Sequence, residues 1–190
     1  MIETELIAQL KKKDASAFKL LVETWQGLVY NTVLGILMNI EDAEDVAQEV
    51  FVQVYESVQS FKGESKISTW LYRIAISKSM DHIRKKKRKK RFAFIESIFN
   101  VNNELIHDPG HFVHPGVQLE NKEKAADLFN AINTLPKNQK TAFILNKMQD
   151  LSYQEIADVM KITISAADSL LHRAKQNLRK YLKTYYSDPS

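Results

Sequence analysis

The fold class is decided by residues 150–181, which read DLSYQEIADVMKITISAADSLLHRAKQNLRKY. Ser152 is a preferred N-cap residue and Glu155 stands at the capping-box position, so a short helix is predicted to follow them. After a brief turn at 161–163, apolar side chains at helical spacing predict a longer helix over 165–181. This order is typical of a helix-turn-helix, although a generic helical pair fits the same pattern.

The exposed side of the longer predicted helix carries small hydrogen-bond donors and a cation. Such side chains read base edges and phosphates when a helix lies in a major groove. They are Ser165, Ser169, His172 and Arg173, with Gln176 further along the same side. We therefore predict that this face of the helix contacts DNA.

Composition extends the helical prediction to the whole chain. The 190 residues include only 5 Gly and 4 Pro, too few to form the turns of a β-sandwich or a β-barrel. Apolar residues at helical spacing occur in 1–91 and 122–190, whereas 92–121 shows no sustained period and holds two of the prolines and two of the glycines. We predict an all-α protein with two small helical domains, 1–91 and 122–190, joined by a flexible linker at 92–121.

Charge divides the chain at the same places. Lys and Arg outnumber Asp and Glu by 16 to 12 in residues 1–91 and by 11 to 7 in residues 122–190, whereas residues 92–121 hold no cation and 4 acidic residues. Two basic lobes therefore flank an acidic linker. With 0 Cys, disulfides, iron–sulfur clusters and thiolate nucleophiles are excluded. No stretch approaches the roughly 20 apolar residues of a membrane span, so we expect a cytoplasmic protein without membrane insertion.

The helix predicted over 42–60 has one apolar half and one acidic arc. The apolar half is predicted to be core, and it consists of Val46, Ala47, Val50, Phe51, Val54, Tyr55 and Val58. The opposite arc, called the acidic stripe below, consists of Asp45, Gln48, Glu49, Val52 and Glu56. The pattern alone favours a solvated face, and a surface for a protein partner is the alternative.

Residues 84–91, called the basic run below, read RKKKRKKR. Eight consecutive cations repel one another unless a polyanion or solvent screens them. Nucleic acid is favoured over a membrane as the partner, because the preceding helix carries charges and needs its apolar stripe for packing. Trp70, upstream of the run, is predicted either to lie in the core or to stack on unpaired bases.

Neither a metal site nor a catalytic site is expected. His107, His111 and His114 would align on a helix, but Pro109 and Gly110 interrupt them. The sequence contains no glycine-rich phosphate loop, no nucleophile elbow and no paired carboxylates in a pattern that would perturb them. We therefore expect a protein that is not an enzyme and that uses no metal or cofactor.

Three motifs follow one another along the chain: DAEDVAQEVF at 42–51, TWLYRIA at 69–75, and the predicted helix-turn-helix, which includes HRAK at 172–175. Together they resemble the extracytoplasmic-function (ECF) sigma factors of bacterial RNA polymerase, over nearly the whole chain except the linker. The resemblance implies a protein that binds core RNA polymerase and directs promoter recognition, DNA melting and transcription initiation. In that family the first lobe binds the minus-ten promoter element and the second lobe binds the minus-thirty-five element.

The resemblance also implies roles for individual residues. Asp45, Gln48 and Glu49 match the surface that binds the coiled coil of the polymerase beta-prime clamp, which favours a partner surface over a solvated face. Residues 62–70 match the loop that captures a base flipped out of the melting promoter. The positions that match the minus-ten contacts are Lys62, Gly63, Ser65, Lys66, Trp70, Arg73, Ser77, Asp81, Arg84, Lys85 and Arg88. The minus-thirty-five contacts would be Ser165, Ser169, His172 and Arg173.

Two departures from the family pattern concern DNA contacts. Many members have Asn near the position of Ser77, and basic residues are common at the positions of Asp168 and Leu170. An acidic side chain that faces phosphate is repelled. We therefore interpret Asp168 as stabilising the N-terminus of a helix that Ser165 caps.

The resemblance implies two further features and leaves two other classes of protein open. An anti-sigma factor would be an additional partner, and the acidic linker would run toward the RNA channel of the polymerase. A non-sigma regulator with the same helix-turn-helix would bind duplex DNA alone. A scaffold or polybasic RNA-binding protein would use the basic run and leave the second lobe idle. Binding to core RNA polymerase distinguishes the three classes.

Overall fold

The computed structural model describes residues 3–99 and 122–187, with side chains at 3–91 and 127–183. Within these ranges every regular element is helical, which confirms the predicted all-α class. The helices are α1 (Glu3–Lys11), α2 (Ala15–Leu37), α3 (Ile40–Ser57), α4 (Ile67–Phe99), α5 (Lys122–Thr134), α6 (Lys137–Lys147), α7 (Tyr153–Met160) and α8 (Ile164–Ser187). A short 3₁₀ helix, Val58–Ser60, follows α3.

Short polar side chains begin several of these helices. Asp14 Oδ1 accepts a 2.9 Å hydrogen bond from the N–H three residues further on, at the start of α2. Asn39 Oδ1 does the same at 2.7 Å for α3. The predicted capping box of α7 is confirmed, because Ser152 Oγ accepts from the N–H of Glu155 and the Glu155 carboxylate accepts from the N–H of Ser152. These bonds satisfy N–H groups that have no partner within the helix.

The first lobe is built from α1 to α4 around one apolar core. Valines spaced along α3 pack between α2 and α4, as the helical pattern predicts. The most buried members of this core are Leu21, Val29, Val33, Val46, Val50, Val54, Leu71 and Ala75. Tyr55 was predicted to be core as well, and this is wrong, since Tyr55 is 40% exposed. It lies at the edge of the apolar half, where its ring contacts Phe18 edge-on at a centroid distance of 5.3 Å.

The second lobe is built from α5 to α8, and α7 and α8 form the predicted helix-turn-helix. Ile156 and Ala157 on α7 pack against Ala167 and Leu171 on α8, all of them buried. Lys161 ends α7 with a left-handed conformation at φ 55°. This left-handed residue begins the three-residue turn, 161–163, that connects the two helices.

The two lobes pack directly against each other along a contact that we call the seam. Tyr72 of α4 is 6% exposed because it is buried among apolar residues of α6 to α8. Met38, at the end of α2, is 6% exposed and joins the cluster that contains Ala131 and Leu135. Gly35 of α2 lies so close to α6 that an added Cβ would be 2.9 Å from a methyl carbon of Ile144. The lobes therefore share apolar clusters, which the sequence did not predict.

The helix α4 continues through the basic run to Phe99, so residues 92–99 of the predicted linker are helical. The remainder of the predicted linker includes His107, His111 and His114, which lie outside the described residues. In the part of the chain that the structure describes, no group of three or more His, Cys, Asp or Glu side chains could hold a metal ion. No helix in that part is both long and apolar enough to span a membrane.

Lys140 is an unusual buried cation in the second lobe, and it allows a test of the fold. It is 9% exposed, and its Nζ donates a 2.5 Å hydrogen bond to Asn133 Oδ1. Burial lowers the pKa of Lys140 from 10.5 to about 8. The unfolded chain therefore keeps this proton up to a higher pH than the folded chain, so the free energy of unfolding should rise between about pH 8 and 10.5.

Replacement of Lys140 by Met should stabilise the protein at pH 7, because a charged amine no longer has to be buried. We expect a gain of about 1–3 kcal/mol in the free energy of unfolding and the loss of its rise above pH 8. Urea denaturation at pH 7, 8, 9 and 10 measures both effects. Lys147→Met, at an exposed position of the same helix, is the control and should change neither. Destabilisation by Lys140→Met at pH 7 would contradict this assignment.

Candidate nucleic-acid and polymerase interfaces

The acidic stripe forms an exposed face of α3. Asp45, Gln48 and Glu49 are all exposed, and the buried Val46 and Val50 hold the opposite side of the helix in the core. Val52 is 57% exposed beside them. Within residues 3–91 and 127–183, neither Asp45 nor Glu49 takes part in a salt bridge, and both line a small cleft together with Lys78.

An apolar groove of about 460 Å³ lies next to the acidic stripe, between α2 and α3. Val22, Tyr30 and Phe51 line it, and Gln48 borders both the groove and the stripe. No pattern in the sequence predicted this groove. Val22 and Phe51 carry the same helical pattern as fully buried residues, and only the packing of α2 on α3 shows that they border an open groove.

The loop before α4 presents the residues that match base capture. Lys62, Gly63 and Lys66 are exposed, and Ser65 is half-buried. Gly63 has a φ of +75°, a left-handed conformation that glycine adopts without strain. Trp70 is half-buried, and its ring packs on Phe61 at a centroid distance of 4.8 Å. Part of the indole is therefore core and part is open to solvent.

The remaining matched minus-ten positions follow one another along α4. Helical spacing places them on adjoining parts of one surface, and they are Arg73, Ser77, Asp81, Arg84, Lys85 and Arg88. Arg84 donates a hydrogen bond to Asp81 Oδ1. This bond is the main cause of the lowered pKa of the Asp81 carboxyl. The Asp81 carboxylate therefore holds Arg84 in place on this surface.

Asp42 anchors the basic run to α3. Its Oδ2 lies 2.5 Å from Nζ of Lys86, and its Oδ1 lies 3.1 Å from Nε2 of His82. No pattern in the sequence indicates this contact, because Asp42 and Lys86 are distant in sequence. Asp42 also stands at the start of α3, where a carboxylate suits the helix N-terminus. One carboxylate thus fixes the start of α3 against the part of α4 that carries the basic run.

The second lobe engages residues of the first lobe that match minus-ten contacts. Arg73 Nη2 donates a 2.7 Å hydrogen bond to the backbone carbonyl of Asp158, and Lys66 Nζ lies 3.7 Å from Glu155 Oε1. Between these contacts, the hydroxyl of Tyr72 donates a 3.3 Å hydrogen bond to Gln149 Oε1, and burial raises the pKa of Tyr72 to about 12. The seam therefore covers part of the α4 surface.

The predicted reading face of the helix-turn-helix is open. Ser165, Ser169, His172 and Arg173 are all exposed on α8, while the alanines and leucines at 167, 171, 174 and 178 are buried. Nε2 of His172 lies 2.9 Å from Nε2 of Gln176.

The predicted N-cap of this helix is wrong by two residues. Thr163 is the capping side chain, since its Oγ1 accepts a 3.1 Å hydrogen bond from the N–H of Ala166. The left-handed Lys161 ends α7 early enough for α8 to begin at Ile164, so Ser165 is already helical. Asp168 consequently lies beyond the capping-box position and is exposed beside the reading residues.

Comparison with known proteins gives matches in both lobes. The family model of sigma-70 region 2 matches residues 21–89, and that of sigma-70 region 4 matches residues 125–178. The chain is 32% identical over 187 residues to the ECF RNA polymerase sigma factor SigW of Bacillus subtilis, covering 96% of this chain and 98% of that protein. It is 30% identical over 171 residues to the ECF RNA polymerase sigma-E factor of Escherichia coli, covering 90% and 89%.

Two solved structures have a similar fold. CnrH in complex with the cytosolic domain of CnrY superposes with a TM-score of 0.69 at 18% identity, covering 96% of this chain and 97% of that chain. The sigma factor RpoE in complex with the anti-sigma factor NepR from Bartonella quintana gives a TM-score of 0.67 at 21% identity, covering 87% and 96%. At such identities the likeness supports the arrangement of helices alone.

Proposed function

The chain belongs to the ECF group of sigma-70 factors. From this we propose which of its residues bind the polymerase and which bind each promoter element. As a sigma factor, it binds core RNA polymerase and directs promoter recognition and the start of transcription. We assign residues 1–91 to core binding and the minus-ten element, 92–121, whose first eight residues continue α4, to a linker, and 122–190 to the minus-thirty-five element. Its relatives are sigma factors rather than enzymes, and we place its action in the cytoplasm.

The observation that carries this assignment is the combination of two open polar faces on one chain. The acidic stripe is exposed and its Asp45 and Glu49 form no salt bridge in the described residues, so binding to a cationic partner breaks no salt bridge. The reading face of α8 is equally open and carries donors suited to base edges. A regulator that binds only duplex DNA, or a polybasic RNA-binding protein, has no use for the first of these faces.

We propose that the acidic stripe and the neighbouring groove together hold the coiled coil of the beta-prime clamp. Asp45 and Glu49 would attract cationic side chains, and Gln48 would supply hydrogen bonds at the border of the groove. The groove itself would accept apolar side chains of the coiled coil, a common way for a helix to bind. The solved complexes CnrH–CnrY and RpoE–NepR support a further proposal that this chain also has an anti-sigma partner.

Reversal of charge at Glu49 tests this proposal. We expect Glu49→Lys to weaken core polymerase binding roughly tenfold or more, because attraction across the interface becomes repulsion. Helical content and thermal unfolding should not change, since Glu49 is exposed. A core polymerase pull-down followed by run-off transcription measures the effect, with Glu5→Lys, an equal charge change on exposed α1, as control. Normal core binding by Glu49→Lys, or its unfolding, would refute the assignment.

We propose that the loop at 62–66 and the open part of Trp70 receive a base extruded from the melting promoter. Extrusion costs a few kcal/mol of unstacking, which a stacking surface and hydrogen bonds can offset. Arg73, Arg84 and Arg88 would then follow the strand along α4. The exposure of Lys62 and Lys66 supports this role.

Promoter binding requires the lobes to separate, since Arg73 and Lys66 are engaged by the second lobe. Two donors in or beside the seam, Nε of Arg73 and Nε2 of Gln149, are buried without a hydrogen-bond partner. Each such donor costs about 1–3 kcal/mol. This cost supports a seam that polymerase and promoter can open.

A further inference from the structure

A cleft of about 430 Å³ lies along the seam, where α4 faces the start of α6 and the end of α7. Four cations line it: Arg73 and Arg84 from the first lobe, and Lys137 and Lys161 from the second. Among the described residues, no acidic side chain lines this cleft. An apolar wall, formed by Ile76, Met80, Val159 and Met160, completes it.

Closure of the lobes is what gathers these charges. Each pair of cations belongs to a different lobe, so separation of the lobes would move Arg73 and Arg84 away from Lys137 and Lys161. Like charges around one cavity repel one another, and among the described residues only Arg84 of these four cations has an ion-pair partner, Asp81. An anion in the cavity would remove that repulsion, so the closed arrangement should bind a multivalent anion more tightly than the open one does.

The cleft also offers hydrogen-bond donors suited to phosphate oxygens. Arg73 lines the cleft with its guanidinium, of which Nη2 is bound to the Asp158 carbonyl. Lys137 and Asn138 form the first turn of α6, whose N-cap residue, Pro136, has no side chain that could cap it. Arginine side chains and uncapped N–H groups of this kind are typical ligands of phosphate groups.

We propose that this cleft binds a compact ligand with several phosphate groups, as in a nucleoside triphosphate or inorganic tripolyphosphate. Its volume is typical of a small-molecule pocket. The cations of both lobes would hold the phosphates, and the apolar wall would favour a ligand that also carries a base. Because the ligand contacts both lobes, its binding stabilises the closed arrangement. If Arg73 and Arg84 contact the minus-ten element, as proposed above, the same ligand opposes promoter binding.

Isothermal titration calorimetry of the full chain with ATP, GTP and tripolyphosphate, without DNA or polymerase, tests the site. The double variant Lys137→Gln/Lys161→Gln removes both second-lobe cations and should weaken binding roughly tenfold or more, since charged hydrogen bonds are lost. The control Lys147→Gln/Lys183→Gln makes the same change in net charge at exposed positions outside the cleft. It should bind as the native chain does.

A second pair of variants separates the site from simple charge attraction. Gly35→Leu keeps every cation of the cleft but opposes closure, so it should also weaken binding. Gly27→Leu, where an added Cβ meets nothing within 4 Å, should not. Circular dichroism and thermal unfolding establish that each variant is folded.

No binding of any of the three compounds at millimolar concentration, or equal weakening by both lysine double variants, overturns the proposal. If ATP or GTP binds more tightly than tripolyphosphate, the apolar wall contacts the base. If all three bind equally, the site recognises the phosphates alone. Because core polymerase is absent, failure here leaves the sigma-factor assignment intact. Conversely, a ligand that binds but does not compete with a minus-ten oligonucleotide argues against the assigned roles of Arg73 and Arg84.

Discussion

Replacement of Gly35 by Leu is expected to open the seam and to raise the affinity of the free chain for a single-stranded minus-ten oligonucleotide roughly five- to hundredfold. An added Cβ would lie 2.9 Å from Cγ2 of Ile144 and 3.1 Å from Sδ of Met148, both on the second lobe. The clash is relieved when the lobes separate, and separation exposes Arg73. The gain in affinity is limited by how strongly the native equilibrium favours the closed arrangement.

Gly27 provides the matched control for this experiment. It lies on the same helix, and Gly27→Leu gains the same helix propensity without a clash. Because the chain has 0 Cys, single cysteines at the exposed Glu5 and Lys183 can carry a pair of dyes that report the distance between the lobes. Fluorescence anisotropy measures oligonucleotide binding. If the dyes move apart in Gly35→Leu and the affinity stays the same, the seam does not mask the minus-ten contacts.

Replacement of Arg173 by Ala should have the largest effect on the upstream promoter element. Arg173 is exposed on α8 beside Ser169, while the buried neighbours at 171 and 174 hold the helix in the lobe. Loss of a bidentate contact to a base should cost about 1–3 kcal/mol of discrimination, and loss of a phosphate contact should cost less. The measurement is binding of holoenzyme to promoters with the native and the scrambled minus-thirty-five element.

Arg179→Ala is the control for that experiment. Arg179 is also exposed on α8, and six residues further along it points to a different side of the helix. Arg179→Ala should lower binding to both promoters equally, or not at all. If Arg173→Ala weakens binding to both promoters equally, Arg173 contacts the phosphate backbone rather than a base.

The helices of this protein were predictable where local chemistry determines them. The capping box at Ser152 and Glu155 and the valine spacing of α3 act within a few residues, so the sequence displays them directly. The start of α8 was misplaced because Thr163 and Ser165 are both good N-cap residues. The choice between them depends on the left-handed turn at Lys161, which no pattern marks.

The seam could not be predicted in the same way. The sequence alone indicates only that Gly35 weakens a helix. Its structural role depends on the close approach of Ile144 from the other lobe. Tyr72 lies within a motif attributed to DNA binding, yet it is buried by contacts with residues beyond 140. Such long-range contacts depend on how complete helices pack, so no local pattern could predict the cleft that they form.

The anchoring of the basic run by Asp42 has a consequence for the thermodynamics of promoter binding. Arg84 is paired with Asp81 and Lys86 with Asp42, which leaves six of the eight cations without an ion pair among the described residues. Each of these that meets a DNA phosphate releases a condensed counterion, so the driving force is largely the entropy of released ions. With six contacts, doubling the ionic strength would weaken binding about 40-fold. Promoter occupancy would then follow the ionic composition of the cell as well as the concentration of the factor.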